Sequence, residues 1–295
     1  TIDYFDLYYQ MFNKKELFYA LAKGLKLPAN IEEIRYYTKK NLLAEVIKYE
    51  DALALIFLKI LMSGCQIYRN IKQVVVDEAQ DYYPIHFEIL KHLFPKAKYT
   101  ILGDINQTIE KATELTLYQM IQEILNRKTS VLIILSKSFR CTDEIIAFSS
   151  RFIDTSVKLE ACGREGVPPE IIYSDTQSSM DERLIEIVKD FEKQGYKSIC
   201  VLCKGLKDAR KLHARVKEQF HIPLIDESYT SDIFGAFIVP IYMAKGLEFD
   251  AVIIYEADDR HYHSEDDKKL LYTASTRALH RLVLLYTGKK SRFLA

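Results

Sequence analysis

The sequence predicts an α/β protein built on parallel β-sheet. From about residue 71 onward, short apolar runs alternate with segments of helical periodicity, and runs such as residues 74–76 are apolar without interruption. Uninterrupted apolar runs are typical of strands buried on both faces of a parallel sheet, and strand–helix alternation implies right-handed crossovers. Residues 1–70 differ, since they show helical spacing without strand alternation, and we predict a helical segment there.

Each element is placed by its local pattern. Pro84 suits the first turn of a helix, Thr142 suits an N-cap, and glycines and prolines between residues 163 and 169 mark a break. Strands are predicted at residues 74–77, 99–102, 131–135, 170–173, 198–203, 236–241, 251–255 and 281–286, and helices at 84–93, 115–125, 142–152, 180–194, 206–219 and 267–278.

Composition limits the function classes. The 295 residues suffice for two domains, and 48% hydrophobic with 28% charged residues is typical of globular chains. Lysine plus arginine equals aspartate plus glutamate, 41 each, which excludes a uniformly basic nucleic-acid binder. No apolar run approaches the roughly 20 residues of a membrane span, so no membrane partner is expected. Five cysteines, an odd number, predict a reducing cytoplasm rather than a disulfide framework.

Two possible ligand pairs are expected to be structural. Cys200 and Cys203 form a CxxC inside an apolar run with no second pair, so zinc or redox chemistry is not predicted. His261 and His263 lie in an acidic loop, residues 256–267, and are expected to form a solvated turn rather than a ligand set. A docking role for this loop is the less favoured alternative.

Acidic side chains follow the first predicted strand in the string VVVDEAQD. Ligands of open α/β sheets bind beyond the carboxyl ends of the strands. We therefore predict that Asp77 reaches a hydrated magnesium ion and that Glu78 orients or deprotonates an attacking water. The alternative is a strand that merely ends in solvated acids.

Four more polar sets accompany apolar runs, and each strand of interest is expected to end in such a set. They are ILGDINQ (101–107), LSKSFR (135–140), MAKGLEFDAVII (243–254) and LLYTASTRALHRLVLLY (270–286). Gln107 could hydrogen-bond a terminal phosphate, and Arg140 and Arg277 could stabilise charge on phosphoryl oxygens. Gly246 permits a close backbone approach. Taken singly, Arg140 or Arg277 could form a helix-end salt bridge, Gln107 a turn and Glu248 a cap.

In this order the five sets resemble motifs II to VI of superfamily 1 DNA helicases of the UvrD/Rep type. The resemblance covers about residues 71–290 and implies two RecA-like, P-loop NTPase-type parallel-sheet domains that use ATP and Mg²⁺. It implies that Arg140 and Arg277 act as arginine fingers and that Glu248 binds the ribose hydroxyl. Gly103, Asp104 and Gly246 are expected to bind the nucleotide as well.

The resemblance also implies that one part of the motor is missing. No GxxxxGK[ST] phosphate loop occurs in the sequence, so this chain alone is not expected to hydrolyse ATP. We predict a helical segment at residues 1–70, the C-terminal portion of an incomplete first RecA-like domain at 71–128, and a second RecA-like domain at 129–295. A preceding N-terminal part of the same protein would be the natural partner.

Positions that face nucleic acid in the family depart from its pattern. Pro240 and Tyr242 stand where a threonine and a histidine are usual, and Gln107 is followed by Thr108, Ile109 and Glu110 rather than by an aromatic residue. The chain thus looks most similar to the helicase IV/HelD-like branch, whose Gram-positive members act on RNA polymerase. The resemblance implies 3′ to 5′ translocation on single-stranded DNA or remodelling of RNA polymerase complexes. The alternative is a non-catalytic docking module that binds RNA polymerase or another protein.

Overall fold

The chain forms two compact units, Thr1–Val131 and Leu132–Ala295, in the computed structural model. The structure describes residues 2–65, 67–104, 116–126, 129–153, 160, 163–227, 229 and 234–294. Every pairing between its strands is parallel. The α/β class with parallel sheets, preceded by a helical segment, is therefore confirmed. In the described part of the chain, no helix is both long enough and apolar enough to cross a membrane.

The first unit begins with helices and continues with a small sheet. Its elements are α1 (Tyr4–Asn13), α2 (Lys15–Leu21), α3 (Ile31–Leu43), α4 (Tyr49–Ser63), β1 (Gln73–Val76), α5 (Pro84–Leu93), β2 (Lys98–Ile101) and α6 (Thr116–Leu125). Val76 lies opposite Ile101 in the β1–β2 pair. Phe87 of α5 and Ile121 of α6 are buried in one cluster with Val76, so the two helices and the strand share a core.

The tyrosines of the helical segment divide between core and surface. Tyr8 is buried, and its hydroxyl donates to Asp51 Oδ1 at 2.9 Å, which joins α1 to α4. Tyr19, Tyr36 and Tyr37 are exposed. Amphipathic helices bury one stripe and leave the opposite face in solvent, which explains the division.

The second unit is a five-stranded parallel sheet in the order β3-β7-β6-β4-β5. Its elements are α7 (Asp143–Ser149), β3 (Glu170–Ser174), α8 (Gln177–Lys193), β4 (Ser198–Cys203), α9 (Leu206–Val216), β5 (Gly235–Pro240), β6 (Phe249–Ile254), α10 (Glu265–Ser275) and β7 (Ala278–Thr287). Successive residues of β4 enter different clusters: Cys200 and Leu202 pack in one, Ile199 and Val201 in the other. The uninterrupted apolar runs therefore cover two cores, one on each face.

The parallel direction of the strands separates two edges of this sheet. Loops that follow β4 and β6 share the carboxyl edge, whereas residues that precede β6 and β7 lie at the opposite edge. Glu248 comes directly before β6 and Arg277 directly before β7. The expectation that each polar set ends its strand is therefore wrong for these two sets, because here the set begins the strand.

The predicted strand at residues 131–135 does not form. The backbone there belongs to no sheet, and Val131 and Leu135 are 84% and 83% exposed. A strand needs a neighbour to receive its backbone hydrogen bonds, and the described residues place none beside this run. The next residues do pair, since Lys137 forms an isolated parallel bridge with Glu160.

Helix α10 is fixed at its start by a buried carboxylate. Asp267 Oδ2 accepts the backbone N–H groups of His263 and Ser264 at 3.1 and 3.0 Å, while Oδ1 lies 2.5 Å from Lys204 Nζ. Burial raises the pKa of Asp267, but the Lys204 ammonium and the amide donors outweigh it and lower the pKa to about 2. Asp267 thus ties the N-terminus of α10 to the end of β4.

We predict that Asp267→Asn lowers the free energy of unfolding by about 2 kcal/mol at pH 7, because a charge-assisted bond to Lys204 is lost. The folded pKa lies below the ordinary 3.8, so the contribution is full above about pH 4 and is lost as the pH falls towards 2. Urea unfolding of both proteins at several pH values from 7 to 3 measures this contribution to the free energy of unfolding. Asp266→Asn, at an exposed position in the same turn, is the control; an equal loss there would contradict the assignment.

Candidate active-site residues

The first two acids of VVVDEAQD lie where β1 leaves the sheet of the first unit. Glu78 has a left-handed backbone (φ +50°), and its N–H donates to Asp77 Oδ1 at 2.8 Å. A left-handed backbone costs a non-glycine residue about 1 kcal/mol or more, and such positions cluster at functional sites. Asp77 is exposed and Glu78 half-buried, so both carboxylates can meet a ligand from solvent.

Gln80 links the two loops at this edge. Its side-chain amide donates to Glu78 Oε2 at 2.5 Å, and its carbonyl oxygen accepts the N–H of Asp104 at 3.0 Å. The buried glutamine thereby brings Glu78, after β1, together with Asp104, after β2. Sequence reasoning missed Gln80. The available signal was an amide side chain two residues after Glu78 in the sequence.

Gly103 is required here by packing. A Cβ at this position would overlap the Tyr118 hydroxyl and lie 2.6 Å from Gln80 Oε1 and 3.3 Å from the backbone nitrogen of Ala79. Burial, followed by the nearby Asp104 and Glu78, raises the pKa of Tyr118 to about 12. Tyr118, on α6, thus faces the same acids and was also missed from the sequence. Gln107 lies outside the described residues.

We predict that Gly103→Ala destabilises the first unit by about 1–3 kcal/mol, because the methyl group displaces Tyr118 and Gln80. Tyr118→Phe in the same chain removes the clashing hydroxyl and should restore part of the loss. Thermal unfolding of the two single variants and the double variant measures the coupling. Strict additivity of the two changes would contradict the proposed overlap.

In the second unit, three segments that are distant in sequence meet near the start of β6 and β7. Arg140 Nε lies 2.5 Å from Glu248 Oε1, and both side chains are exposed. Gly246, two residues before Glu248, has a left-handed backbone (φ +78°), and an added Cβ would meet nothing within 4 Å. Backbone conformation, rather than crowding, therefore favours glycine there.

Arg277 is buried, with only 1% of its surface exposed. Its Nε donates to the Thr273 carbonyl oxygen at 3.1 Å, and its Nη1 donates to the Leu247 carbonyl oxygen at 3.4 Å. The guanidinium therefore joins the end of α10 to the residue before Glu248. In this arrangement it supports the turn that carries Glu248.

Cys141 lies among these charges and was not predicted from the sequence. Its thiol donates to the Thr276 carbonyl oxygen at 3.6 Å. Burial raises its pKa to about 11, although Arg140 and Arg277 act in the opposite direction. Arg164 adds a second support, since its Nη1 donates to the Arg140 carbonyl oxygen at 2.8 Å. The backbone at Arg140 is thus held by two hydrogen bonds, one from the neighbouring Cys141 to Thr276 and one from Arg164 to Arg140 itself.

The acidic loop at residues 256–267 is only partly the solvated turn that the sequence favoured, since residues 263–266 are exposed. Asp258 and Asp267 are buried, and Asp259 pairs with Lys289 at 2.8 Å and with Arg292 at 3.1 Å. Lys204, Lys289 and Arg292 approach these acids from other parts of the unit, and the local composition does not reveal them. The pairing of Asp258, Asp259 and Asp267 with basic groups of the same unit leaves fewer of the loop's acids available for docking a basic partner.

Comparison with protein families finds one partial match in each unit. Residues 22–111 match the UvrD/REP helicase N-terminal domain, and residues 235–285 match the UvrD-like helicase C-terminal domain. These matches support a UvrD/Rep-type superfamily 1 helicase. The first helicase match contains Asp77, Glu78, Gly103, Asp104 and Gln107, and the second contains Gly246, Glu248 and Arg277. Arg140 lies between the matched segments.

Among solved structures, the C-terminal domain of a possible DNA helicase from Lactobacillus plantarum WCFS1 is similar. The two share 26% identity, and the match covers 54% of this helicase-like chain and 92% of the other, with a TM-score of 0.48. No curated protein matches the chain at a significant level.

Proposed function

We propose that the chain is part of an ATP-dependent superfamily 1 motor that uses Mg²⁺-ATP. The observation that carries this proposal is the grouping of suitable side chains inside each unit. Gln80 joins Glu78 to the loop of Asp104 in the first unit, and Arg140 meets Glu248 beside Arg277 in the second. Bound ATP would supply the phosphoryl group, and Mg²⁺ would neutralise the charge on its oxygens.

The first unit supplies oxygen ligands suited to a hard cation. Asp77 is exposed at the sheet edge, and its Oδ1 is fixed by the N–H of Glu78, so the carboxylate suits a hydrated magnesium ion. Glu78 is oriented by the Gln80 amide and would position or deprotonate the attacking water. In this proposal Gln107 hydrogen-bonds the terminal phosphate, and Gly103 and Asp104 shape the adjoining loop.

The second unit supplies the positive charge. Arg140 now pairs with Glu248, so the pair must separate before Glu248 can bind a ribose hydroxyl and Arg140 a phosphate. Exposed ion pairs contribute only about 0–1 kcal/mol, so this separation is inexpensive. Arg277 is buried against the Leu247 carbonyl, and it would reach a phosphate only if the turn at residues 246–248 shifts.

A further part of the same protein would complete the first domain. The sequence has no phosphate loop, and the described sheet of the first unit has two strands. Both features fit a sheet whose remaining strands and phosphate loop come from a preceding N-terminal segment. On its own, this chain would then bind nucleotide weakly and not hydrolyse it.

The output of such a motor would be domain motion, applied either to DNA or to RNA polymerase. Translocation from 3′ to 5′ on single-stranded DNA is the family's usual output. The HelD-like alternative, remodelling of RNA polymerase complexes in the cytoplasm, is favoured by Pro240 and by Tyr242, which is exposed. A purely non-catalytic docking module is less well supported, because three acids of the loop that would dock, Asp258, Asp259 and Asp267, are already paired with basic groups of this unit.

The proposed water-positioning role is tested with Glu78→Gln in the full protein that contains this chain. We expect kcat for ATP hydrolysis to fall by about 100-fold or more with little change in KM, because the amide cannot accept a proton. Glu88→Gln, on α5 of the same unit, is the matched control and should retain activity. Equal activity of wild type and Glu78→Gln would refute the assignment.

The arginine role is tested with Arg277→Lys, which keeps the charge but loses the planar fork. We expect hydrolysis to fall by about 10³-fold if the guanidinium stabilises the transition state. Arg183→Lys, exposed on α8, is the control. An unchanged melting temperature excludes unfolding as the cause. Normal hydrolysis in a folded Arg277→Lys protein would limit this residue to a structural role.

The same assay, run with single-stranded DNA and with RNA polymerase, separates the two outputs. Stimulation by DNA alone, decreasing steeply with salt, would indicate strand tracking. Stimulation by polymerase alone would indicate a remodeller. No nucleotide hydrolysis under any of these conditions would refute the motor proposal.

A further inference from the structure

A second group of charged side chains lies at the edge of the sheet opposite Glu248 and Arg277. Asp208 stands in the first turn of α9, after β4, while Glu256 and His261 lie in the loop after β6. One ligand atom from each of the three side chains lies within 4.8 Å of the others, and all three residues are half-buried. β4 and β6 are adjacent strands, so the sheet itself brings the three together.

His261 is oriented as metal-binding histidines are. Its Nδ1 lies 2.8 Å from Asp258 Oδ1, and its Nε2 lies 3.3 Å from Glu256 Oε2. Asp258 is fully buried, and it also accepts the backbone N–H of Arg260 at 2.9 Å and the Arg260 guanidinium at 2.9 Å. A carboxylate that fixes one ring nitrogen leaves the other nitrogen to bind a metal, which is the usual arrangement behind histidine ligands.

Negative charge exceeds positive charge at this group. Glu256 is paired with His261, and the cation nearest to Asp208 is the exposed Lys211, whose Nζ lies 3.7 Å from Asp208 Oδ1. Asp258 is occupied by Arg260 and His261. Two partly buried carboxylates therefore share one imidazole and one exposed ammonium, and a bound cation would offset their repulsion.

A buried tyrosine of the same loop has an unsatisfied hydroxyl. Tyr262, the residue after His261, is fully buried, and its hydroxyl has no hydrogen-bond partner among the described residues. A buried unpaired hydroxyl costs about 1–3 kcal/mol. A metal-bound water would supply the missing partner.

We propose that Asp208, Glu256 and His261 bind a divalent first-row transition-metal ion, such as Zn²⁺ or Mn²⁺. An imidazole ligand favours these ions over Mg²⁺, which prefers an all-oxygen set. Three protein ligands leave a position for water, as in open zinc sites. Nε2 of His261 and Oε2 of Glu256 already have nearly the spacing of about 3.3–3.6 Å expected between ligands in tetrahedral zinc.

The proposed ion would fasten α9 to the loop after β6. It would lie at the carboxyl edge of the sheet, away from Glu248 and Arg277, so it is separate from the magnesium that accompanies ATP. Its effect would be to stabilise the second unit and to hold His261 and Tyr262 in place. The proposal does not depend on the motor function, since it rests on residues of this edge alone.

Titration of the 295-residue chain, stripped of metal with a chelator, tests the proposal. We expect one Zn²⁺ to bind per chain in calorimetry and to raise the melting temperature, with Mn²⁺ weaker and Mg²⁺ without effect. Asp208→Asn and His261→Gln should each weaken Zn²⁺ binding at least tenfold. The control is Asp259→Asn, a carboxylate of the same loop that pairs with Lys289 and Arg292, and it should bind as wild type.

The melting temperature of each metal-free variant shows whether it has folded. A second readout uses Co²⁺, whose visible spectrum reports nitrogen and oxygen ligation and should be lost in His261→Gln. If a variant fails to fold, Glu256→Gln replaces it. Absence of stoichiometric Zn²⁺ binding, or equal binding by wild type, Asp208→Asn and His261→Gln, would overturn the site and leave a His261–Glu256 ion pair.

Discussion

The common direction of the strands in the second unit is the constraint on which its remaining features depend. Five parallel strands buried on both faces force every crossover to return to the same edge before the next strand begins. Residues before β6 and β7 therefore meet at one edge, and residues after β4 and β6 meet at the other. Arg277 and Glu248 belong to the first edge, and Asp208 and His261 belong to the second.

The candidate site residues are held by backbone groups and by one another. Gln80 connects Glu78 to the Asp104 backbone, and Arg277 bonds the Leu247 carbonyl. Such bonds fix a side chain's direction before any ligand arrives, which is the role of supporting groups in active sites. The exposed Arg140–Glu248 pair differs, because it satisfies each charge with the other at small cost and can separate.

The two helicase matches cover most, but not all, of the candidate site residues. Both matched segments contain side chains of the candidate site, one segment in each unit. The C-terminal match includes the acidic loop, in which Asp267, Asp258 and Asp259 pair with Lys204, Arg260 and Lys289, whereas neither match includes Arg140. The loop follows β6 and therefore lies at the edge of the sheet opposite Glu248 and Arg277.

The sequence by itself determined the α/β class, the parallel strands from β3 to β7 and the order of the motifs, because apolar runs and caps are local signals. Tertiary structure alone decided three things. The run at 131–135 lacks a partner strand among the described residues, Glu248 and Arg277 come directly before their strands rather than after them, and Asp258 and Asp267 of the acidic loop are buried. Each depends on contacts between segments far apart in the chain, and local periodicity carries no information about such partners.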